Sequence, residues 1–321
     1  MKAIVQDRYG SADVLRLEDI DTPVAAGGDV LVRVGAASAF IGDWHMMTGT
    51  PYAIRLVSGL RAPKQHVLGQ DLAGTIEAVG DGVTRFRAGD EVFGAGAGAF
   101  AQYATARPDK LAPKPTNLSF EEAATVPTTG CTALQGLRDV ATVQAEQSVL
   151  VIGAAGGVGS FAVQIAKAFG AHVTGVCSTS KVDLVRSIGA DEVIDYTHEE
   201  IVDGTRRYDA IFDTAGNREA SHLRRALTPK GTLVLAGGEG GGRWLGMDRV
   251  LRAKAMSPFV GQKMTNFLGR PKAKDLLVLK DLIEAGSITP VIGARYPLSD
   301  VPNAIRELGT GHGRGKVVIT V

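Results

Sequence analysis

A glycine-rich segment in the middle of the chain has the residue types and the spacing to hold a phosphate group. It reads Gly153-Ala154-Ala155-Gly156-Gly157-Val158-Gly159 and stands between an apolar run, residues 148–152, and a run with helical periodicity, residues 160–169. In a dinucleotide-binding fold, such a turn lets the backbone approach the pyrophosphate and lets the following helix pack on the strand. We assign these two roles to Gly156 and Gly159. Because Ala154 stands where the first glycine of G-x-G-x-x-G is expected, a tight turn that binds no nucleotide stays open as the alternative.

The residues after the second predicted strand bear on which dinucleotide would bind. Folds that bind NAD place an acidic side chain about 20 residues after the turn, where it accepts hydrogen bonds from the ribose. Here that position is Ser178, followed by Thr179, Ser180 and Lys181, and no acidic residue occurs before Asp183. Hydroxyl groups donate to a 2′-phosphate and a lysine neutralises it, so the sequence favours NADPH. A polar turn that caps the following helix is the alternative, and both can hold at once.

The elements that must position these residues alternate between strands and helices. Strands are predicted at residues 148–152, 172–177, 192–195, 209–213 and 232–236, and helices at 160–169, 180–188 and 218–227. This alternation is typical of the doubly wound parallel sheet of an α/β protein. The N-terminal third instead predicts the short strands of a small barrel or sandwich, at 30–34, 74–80 and 89–94. Helices at 273–285 and 301–308 and a last strand at 316–321 could fold with that N-terminal part as one discontinuous domain.

The composition limits the class of protein. The chain has 321 residues, which suggests two domains, and its 35 Lys and Arg against 34 Asp and Glu give a net charge of +1. Proteins that bind nucleic acid need a basic excess, so we expect no nucleic-acid partner. Two cysteines, Cys131 and Cys177, are too few for a disulfide framework. With no secretory signal and no unbroken apolar stretch long enough for a membrane span, we expect a cytoplasmic protein without an integral membrane segment.

Five motifs in a fixed order give the chain a family resemblance over essentially its full length. They are GQDLAG at 69–74, GDEVFG at 89–94, the turn at 153–159, LVRSIGADEVIDY at 184–196 and GKVV at 315–318. With these motifs the chain resembles the zinc-free medium-chain dehydrogenases/reductases of the quinone oxidoreductase (zeta-crystallin-like) type. The resemblance implies a GroES-like, β-rich catalytic domain in two pieces, residues 1–122 and 267–321. It further implies an inserted Rossmann domain, residues 123–266, and a homodimer.

The resemblance also implies which residues contact NADPH. By motif match the contacts fall on Ala155, Gly156, Gly157, Val158, Gly159, Ser178, Lys181, Tyr196, Thr214, Ala236, Gly237 and Gly238, with Thr132 added as a threonine near the nicotinamide. Tyr196 matches a tyrosine near the adenine-side phosphate, and the alternative is an ordinary half-buried tyrosine.

Zinc ligands are the main difference within this superfamily. Its alcohol-dehydrogenase branch binds a catalytic zinc through a cysteine in an early loop and a His-Glu pair after Leu-Gly. Here Gln70 replaces that histidine, and the early loop, residues 38–45, has no cysteine. Since Asp43, His45, His66 and Asp71 also lack the spacing of known zinc ligands, we expect no metal site.

The catalytic residues are not identified by the sequence. The catalytic candidates are Asp43, His45 and Tyr52. His45 is a candidate for proton donation, and Asp43 or His45 is a candidate base for an alcohol. Tyr52 could line the site together with Phe40 and Trp44, with packing in the barrel core as the alternative. Relatives carry Asn-Pro where this chain has Phe40 and Ile41, and a phenyl ring neither donates nor accepts a hydrogen bond.

The function expected from these residues is delivery of hydride from NADPH to a small electrophile, a quinone or an α,β-unsaturated carbonyl. Without a metal, the enzyme lacks a Lewis acid to activate an alcohol, whereas these acceptors already carry an electrophilic carbon. The alternatives are a carbonyl or alcohol dehydrogenase of the same superfamily, and a non-catalytic NADPH-binding protein.

The sequence of residues 237–271 is compatible with three structures. They are a lid over the substrate, a membrane-surface helix, and a long crossover that ends in a strand at 258–260.

Overall fold

The computed structural model describes residues 1–237, 261–311 and 313–321, and the chain divides into two compact units. Unit 1 comprises Met1–Cys131, Arg270–Ala285 and Pro290–Val321, and unit 2 comprises Thr132–Gly269 and Gly286–Thr289. Unit 1 therefore takes residues from both ends of the chain. The domain boundaries expected at residues 122 and 266 stay a prediction.

The strands are β1 (Lys2–Val5), β2 (Arg16–Asp19), β3 (Val30–Ala39), β4 (Asp71–Val79), β5 (Glu91–Ala95), β6 (Tyr103–Ala106), β7 (Leu111–Pro113), β8 (Ser148–Ile152), β9 (His172–Cys177), β10 (Glu192–Asp195), β11 (Tyr208–Asp213), β12 (Leu227–Leu235), β13 (Lys263–Asn266), β14 (Ile292–Pro297) and β15 (Lys316–Thr320). The helices are α1 (Ile41–Thr48), α2 (Arg55–Ser58), α3 (Phe120–Ala124), α4 (Pro127–Gln135), α5 (Gly157–Ala168), α6 (Val182–Ser187), α7 (Ala220–Leu223), α8 (Ala273–Glu284) and α9 (Val301–Gly309).

Unit 1 is β-rich. Its described strands form a sheet in the order β14-β15-β3-β4-β5-β7, with β6 also paired to β3, and β1 and β2 form a separate antiparallel pair. Only the β14–β15 pair of that sheet is parallel among the described pairings. In β3, Val32 and Val34 are buried and Arg33 between them is exposed, because successive side chains of a strand point to opposite faces. The buried valines pack in a core that also holds Phe100.

Unit 2 holds a parallel sheet. Its strands, as far as the structure describes them, follow the order β10-β9-β8-β11-β12-β13, and all neighbours run parallel. Numbered along the chain, this is the order 3-2-1-4-5-6 of the doubly wound dinucleotide-binding fold. β8 is buried from Val149 to Ile152, as expected for a strand covered on both faces. The predicted fold class, a β-rich domain with an inserted doubly wound parallel sheet, is confirmed.

Several predicted boundaries were wrong in detail. The helix predicted at 218–227 is α7 followed by a 3-10 turn, Arg224–Ala226, and β12 begins five residues earlier than predicted. The helix predicted at 180–188 begins as a 3-10 turn, Thr179–Lys181, before α6. Strand β13 was not predicted, and most of the predicted lid or crossover, with its strand at 258–260, lies outside the described residues. In the part of the chain that the structure describes, no helix combines the length and the apolarity of a membrane span.

Candidate functional site

The glycine-rich turn joins β8 to α5 by a backbone path that glycine adopts readily. Gly153, directly after β8, has φ = 80°, a left-handed conformation that costs other residues free energy. The N–H groups of Gly153 and Ala154 donate to the carbonyl oxygen of Val176 on β9, at 3.2 and 3.0 Å. Gly156 is the N-cap of α5, and its N–H donates to the carbonyl oxygen of Gly153 at 3.0 Å. The N-terminus of α5 thus lies at the carboxyl ends of β8 and β9.

The turn fits the diphosphate of a dinucleotide. A Cβ atom at Gly159 would overlap the carbonyl oxygen of Gly153, so α5 can pack this closely on β8 only with glycine there. A Cβ atom at Gly156 would meet that oxygen at 3.3 Å and, apart from its chain neighbours, no other atom of the described residues within 4 Å, so the rest of the space beside this backbone is open. The first N–H groups of an α-helix have no partner within the helix and carry partial positive charge. Phosphate oxygens accept hydrogen bonds from such groups.

Thr214, Ala236 and Gly237 lie at the same edge of the sheet. The Thr214 hydroxyl donates to the carbonyl oxygen of Ile152 at 2.8 Å. The N–H of Ala236 donates to the backbone carbonyl oxygen of Asp213, also at 2.8 Å. A Cβ atom at Gly237 would overlap the carbonyl oxygen of Thr214. These three predicted contact residues are therefore brought together beside the turn.

Thr132 and Gly238 are two further predicted contact residues. Thr132 is a buried residue of α4. The backbone of Gly269 packs so closely against it that a Cβ atom at Gly269 would lie 2.5 Å from the Cα of Thr132. Gly238 lies outside the described residues.

Ser178, Lys181 and Tyr196 follow β9 and β10. Ser178 precedes the 3-10 turn, and its side chain makes no capping hydrogen bond to that turn, so capping does not occupy its hydroxyl. Tyr196 directly follows β10, where its N–H donates to the carbonyl oxygen of Cys177 at 3.2 Å, and its side chain is 46% exposed. Asp195 adds a carboxylate that the sequence reasoning missed. Hydrogen bonds from the hydroxyls of Thr179 and Thr197 hold the pKa of Asp195 below its usual value.

Unit 1 contains a cluster of buried charged residues. Asp43, Asp71 and Lys316 are each 2% exposed or less. Lys316 Nζ lies 3.9 Å from Asp71 Oδ2 and donates to the carbonyl oxygen of Ala39 at 3.2 Å. Asp71 also accepts from the Thr128 hydroxyl, at 2.5 Å, and from the Thr128 N–H, at 3.2 Å. These donors favour the charged form of Asp71.

Burial shifts the pKa of all three groups toward the neutral form. Burial raises the pKa of Asp43 to about 8, although the N–H of Phe40 donates to its Oδ2 at 3.0 Å and lowers it. Burial raises the pKa of Asp71 to about 6, against the lowering effect of Lys316 and Thr128. Burial lowers the pKa of Lys316, against the raising effect of the two aspartates. At neutral pH, Asp43 is therefore a protonated carboxylic acid beside an Asp71–Lys316 ion pair.

The second oxygen of Asp43 faces a small cavity. Asp43 Oδ1 and Gln6 Oε1 are both buried and have no hydrogen-bond partner among the described residues. Both residues line the cavity, as do Ser58 and Gln70, and its enclosed space fits about one water molecule. Because Asp43 is protonated, Oδ1 can donate a hydrogen bond there.

His45 and Tyr52, the other catalytic candidates, have different surroundings. His45 Nδ1 lies 2.7 Å from the carbonyl oxygen of Thr50, and since a carbonyl only accepts, Nδ1 carries the proton and Nε2 of the neutral ring is an acceptor. Burial lowers the pKa of His45, against the raising effect of that hydrogen bond, so the neutral ring is favoured. Tyr52 is 50% exposed, with the guanidinium of Arg55 4.9 Å from the centre of its ring.

Besides Asp195, two site residues were missed by the sequence reasoning, Lys316 and Arg218. Lys316 was noted only as part of a family motif, although a lysine within an apolar terminal strand was a signal for a buried partner of opposite charge. Arg218 follows β11 and lies over the ring of Tyr196, with its guanidinium carbon 5.7 Å from the ring centre. In the described part of the chain, no group of three or more His, Cys, Asp and Glu side chains is placed to hold a metal ion.

Comparisons with known proteins agree with this architecture. A family model described as alcohol dehydrogenase GroES-like domain matches residues 26–116, and one described as zinc-binding dehydrogenase matches residues 188–319. The chain is 32% identical to the mouse (Mus musculus) mitochondrial NAD(P)H oxidoreductase RTN4IP1, over 100% of this chain and 89% of that protein. It is 34% identical to the chloroplastic NADPH-dependent alkenal/one oxidoreductase of Arabidopsis thaliana, over 99% of this chain and 79% of that protein.

A solved structure extends the likeness to three dimensions. The quinone oxidoreductase from Coxiella burnetii superposes with a TM-score of 0.88 at 30% identity, covering 100% of this chain and 99% of that one. The fold, the site and these likenesses define an oxidoreductase: this chain belongs to the medium-chain dehydrogenase/reductase superfamily, and within it to the quinone oxidoreductase type. The family resemblance inferred from the five motifs is confirmed.

Proposed function

We propose that this oxidoreductase reduces quinones or α,β-unsaturated carbonyl compounds with NADPH and needs no metal. The observation that carries the proposal is the open backbone at Gly156, at the N-terminus of α5, with Ser178 and Lys181 at the end of the neighbouring strand. The relative from Arabidopsis, which is described as NADPH-dependent and as acting on alkenals and alkenones, supports both the cofactor and the substrate class. The likeness to the Coxiella quinone oxidoreductase supports quinones as acceptors.

The chain's own residues hold the cofactor and exclude competing reactions, while NADPH, when bound, supplies the hydride. In the proposal, the turn and α5 bind the diphosphate, and Ser178 and Lys181 bind the 2′-phosphate. The remaining cofactor contacts are Thr132, Tyr196, Thr214, Ala236, Gly237 and Gly238. The proposed domains are residues 1–122 with 267–321 for catalysis and 123–266 for the cofactor.

The reaction needs a proton as well as a hydride. Reduction of an enone adds hydride to its electrophilic carbon and one proton, giving the saturated carbonyl compound and NADP⁺; a quinone gives the hydroquinone. Among the three candidates, Asp43 is supported as the source of that proton, because its carboxyl is neutral at pH 7 and one oxygen is free to donate. Neutral His45 donates only to Thr50.

Steady-state assays with several substrates test the function. We expect consumption of NADPH, followed by the absorbance of the reduced nicotinamide, with quinones and enals, and little with NADH. Tight NADPH binding with no turnover of any acceptor would instead favour the non-catalytic NADPH-binding protein. An Asp43→Asn variant should lose the fall in kcat that the wild-type protein shows as pH rises through about 8.

A homodimer in the cytoplasm completes the proposal. The resemblance to the quinone oxidoreductases supports the dimer. The chain has only two cysteines, too few for a disulfide framework, which supports a reducing compartment such as the cytoplasm. Light scattering on the eluted peak of a gel-filtration column should report twice the 33.5 kDa chain mass. A mass of one chain would refute the dimer.

A further inference from the structure

Arg218 and Tyr196 meet although they follow strands that are not neighbours. Tyr196 follows β10 and Arg218 follows β11, and in the sheet order β9 and β8 lie between those two strands. The contact, with the guanidinium carbon 5.7 Å from the ring centre, therefore spans the carboxyl edge above β8 and β9. These are the strands whose ends carry the glycine-rich turn and Ser178. In this fold the pyrophosphate and the adenosine ribose bind along that edge.

Arg218 has a positive charge that no described residue neutralises. It makes no ion pair with a described carboxylate, and its guanidinium donates one hydrogen bond, from Nη1 to the neutral amide oxygen of Asn217 at 3.2 Å. A guanidinium has five N–H donors, so most of them remain available. The side chain is only partly exposed, and an aromatic ring under a guanidinium limits its orientations. The group is thus held at the edge of the sheet, and a phosphate is the ligand that matches its planar set of donors.

The position of the contact indicates which phosphate. The diphosphate has the N-terminus of α5, whereas the adenosine ribose lies at the end of β9. A phosphate on the ribose 2′-oxygen is the anion expected beyond β9, toward β10 and Tyr196. The carboxylate of Asp195 at this place is already engaged by the N–H and hydroxyl of Thr197, at 3.0 and 2.7 Å, and a cation in addition to Lys181 offsets its repulsion of a phosphate.

We propose that Arg218, held by the ring of Tyr196, binds the 2′-phosphate of NADPH and is a determinant of the choice of NADPH over NADH. This proposal rests on the proposed function, because it assumes that NADPH binds at the carboxyl edge of the parallel sheet. It assigns to Arg218 a role that neither its spacing nor any motif in the sequence indicates.

The test measures binding to four ligands by calorimetry, so it does not depend on turnover. NADPH and 2′,5′-ADP carry the 2′-phosphate, and NADH and 5′-AMP do not. We expect Arg218→Gln to weaken the first two about tenfold to a hundredfold, the range for a lost charge-assisted hydrogen bond, and to leave the other two unchanged. Arg225→Gln is the matched control, since Arg225 is an exposed arginine of the following 3-10 turn that contacts His222, and it should change none of the four.

Further variants separate the guanidinium from its support. Arg218→Lys keeps the charge without the planar donors and should recover part of the affinity. Tyr196→Phe keeps the ring that holds Arg218 and should therefore weaken the binding of 2′,5′-ADP less than Tyr196→Ala does. Melting curves confirm that each variant is folded.

Three outcomes would overturn the proposal. An equal loss for all four ligands would show that Arg218 stacks on adenine, and no loss for any of them would remove it from the site. In these first two outcomes, the proposed use of NADPH is still supported if the wild-type protein binds 2′,5′-ADP more tightly than 5′-AMP. A wild type that does not distinguish the two nucleotides would overturn the proposed use of NADPH together with the role of Arg218.

Discussion

Asp43, Asp71 and Lys316 are ionisable side chains with almost no exposure to water, and their positions explain how unit 1 tolerates them. Lys316 lies near Asp71, and Thr128 donates twice to the same carboxylate. Among the residues that the structure describes, Asp43 has no ion-pair partner, and the hydrogen bond that it accepts comes from the Phe40 N–H. Since an isolated buried charge is costly, the carboxyl of Asp43 keeps its proton.

The proton on Asp43 makes stability depend on pH. Below pH 3.8 the carboxyl is protonated in the folded and in the unfolded chain, and its full contribution to stability is present; above that pH the unfolded chain ionises, while the folded pKa is about 8. Stability should therefore fall as pH rises between these values. We expect Asp43→Asn to lack this part of the loss of stability. The melting temperature of the variant minus that of the wild type should therefore increase by several degrees between about pH 5 and about pH 9.

A control for this measurement is Asp21→Asn, because Asp21 is exposed. Its melting temperature should track the wild type across the same pH range. A constant difference between Asp43→Asn and wild type would show that the Asp43 carboxyl does not change its protonation on unfolding.

Lys181 carries the second prediction at the residue scale. It ends the 3-10 turn that begins after Ser178, so its ammonium group is the charge nearest along the chain to the expected 2′-phosphate. Lys181→Gln should weaken NADPH by about tenfold to a hundredfold and leave NADH nearly unchanged, because only NADPH carries that phosphate. Fluorescence titration measures both dissociation constants, and equal losses for the two cofactors would contradict the assignment.

At the scale of elements, the β8–α5 connection separates two roles of glycine that a sequence motif does not. Gly159 is needed for packing, since a Cβ atom there would overlap the backbone of Gly153, whereas a Cβ atom at Gly156 would meet the carbonyl oxygen of Gly153 at 3.3 Å without overlapping it. Gly156 has φ = −80° and ψ = 176°, which alanine adopts without strain.

The two alanine variants should therefore fail differently. Gly156→Ala should keep its melting temperature within about a degree of wild type but bind NADPH at least about tenfold more weakly, because its methyl group occupies the expected diphosphate position. Gly159→Ala should lower the melting temperature by several degrees through displacement of α5. Calorimetric melting and NADPH titration of both proteins measure this contrast. Unchanged NADPH affinity of Gly156→Ala would contradict the placement of the diphosphate.

Sequence patterns predicted the elements around the turn better than those farther along the chain. The bounds of β8 and β9 were predicted to the residue, because apolar runs flanked by glycine and polar residues mark buried parallel strands. Strand β13 was missed because its four residues, KMTN, carry no apolar alternation, and its place depends on pairing with β12. Likewise, the partners of Lys316 and Arg218 depend on contacts between residues far apart in the sequence, which local patterns do not contain.

At the scale of the whole molecule, the reaction direction follows from the groups available to handle charge. Oxidation of an alkanol needs a base or a metal that stabilises the alkoxide as it forms. Gln70 stands where the alcohol-dehydrogenase branch has a zinc-binding histidine, and Asp43 is neutral and thus a donor. Conjugated acceptors need only a proton and hydrogen-bond donors.

We therefore expect reduction of quinones or enals with NADPH to be at least about a hundredfold faster than oxidation of ethanol or benzyl alcohol with NADP⁺. Initial rates in both directions test this, with and without a chelator, which should leave the rates unchanged. Faster alcohol oxidation, or loss of activity in the chelator, would indicate a metal-dependent dehydrogenase.

The position of β15 along the chain has a consequence for biosynthesis. β15 pairs with β3 and brings Lys316 to Asp71, yet the ribosome makes it after every strand of unit 2. Unit 2 can complete its sheet while unit 1 still has an unpaired β3 edge and an aspartate without its counter-ion. Unpaired edges are where nascent chains aggregate or recruit chaperones. The yield of folded enzyme should therefore depend on how quickly the last strand leaves the exit tunnel and docks.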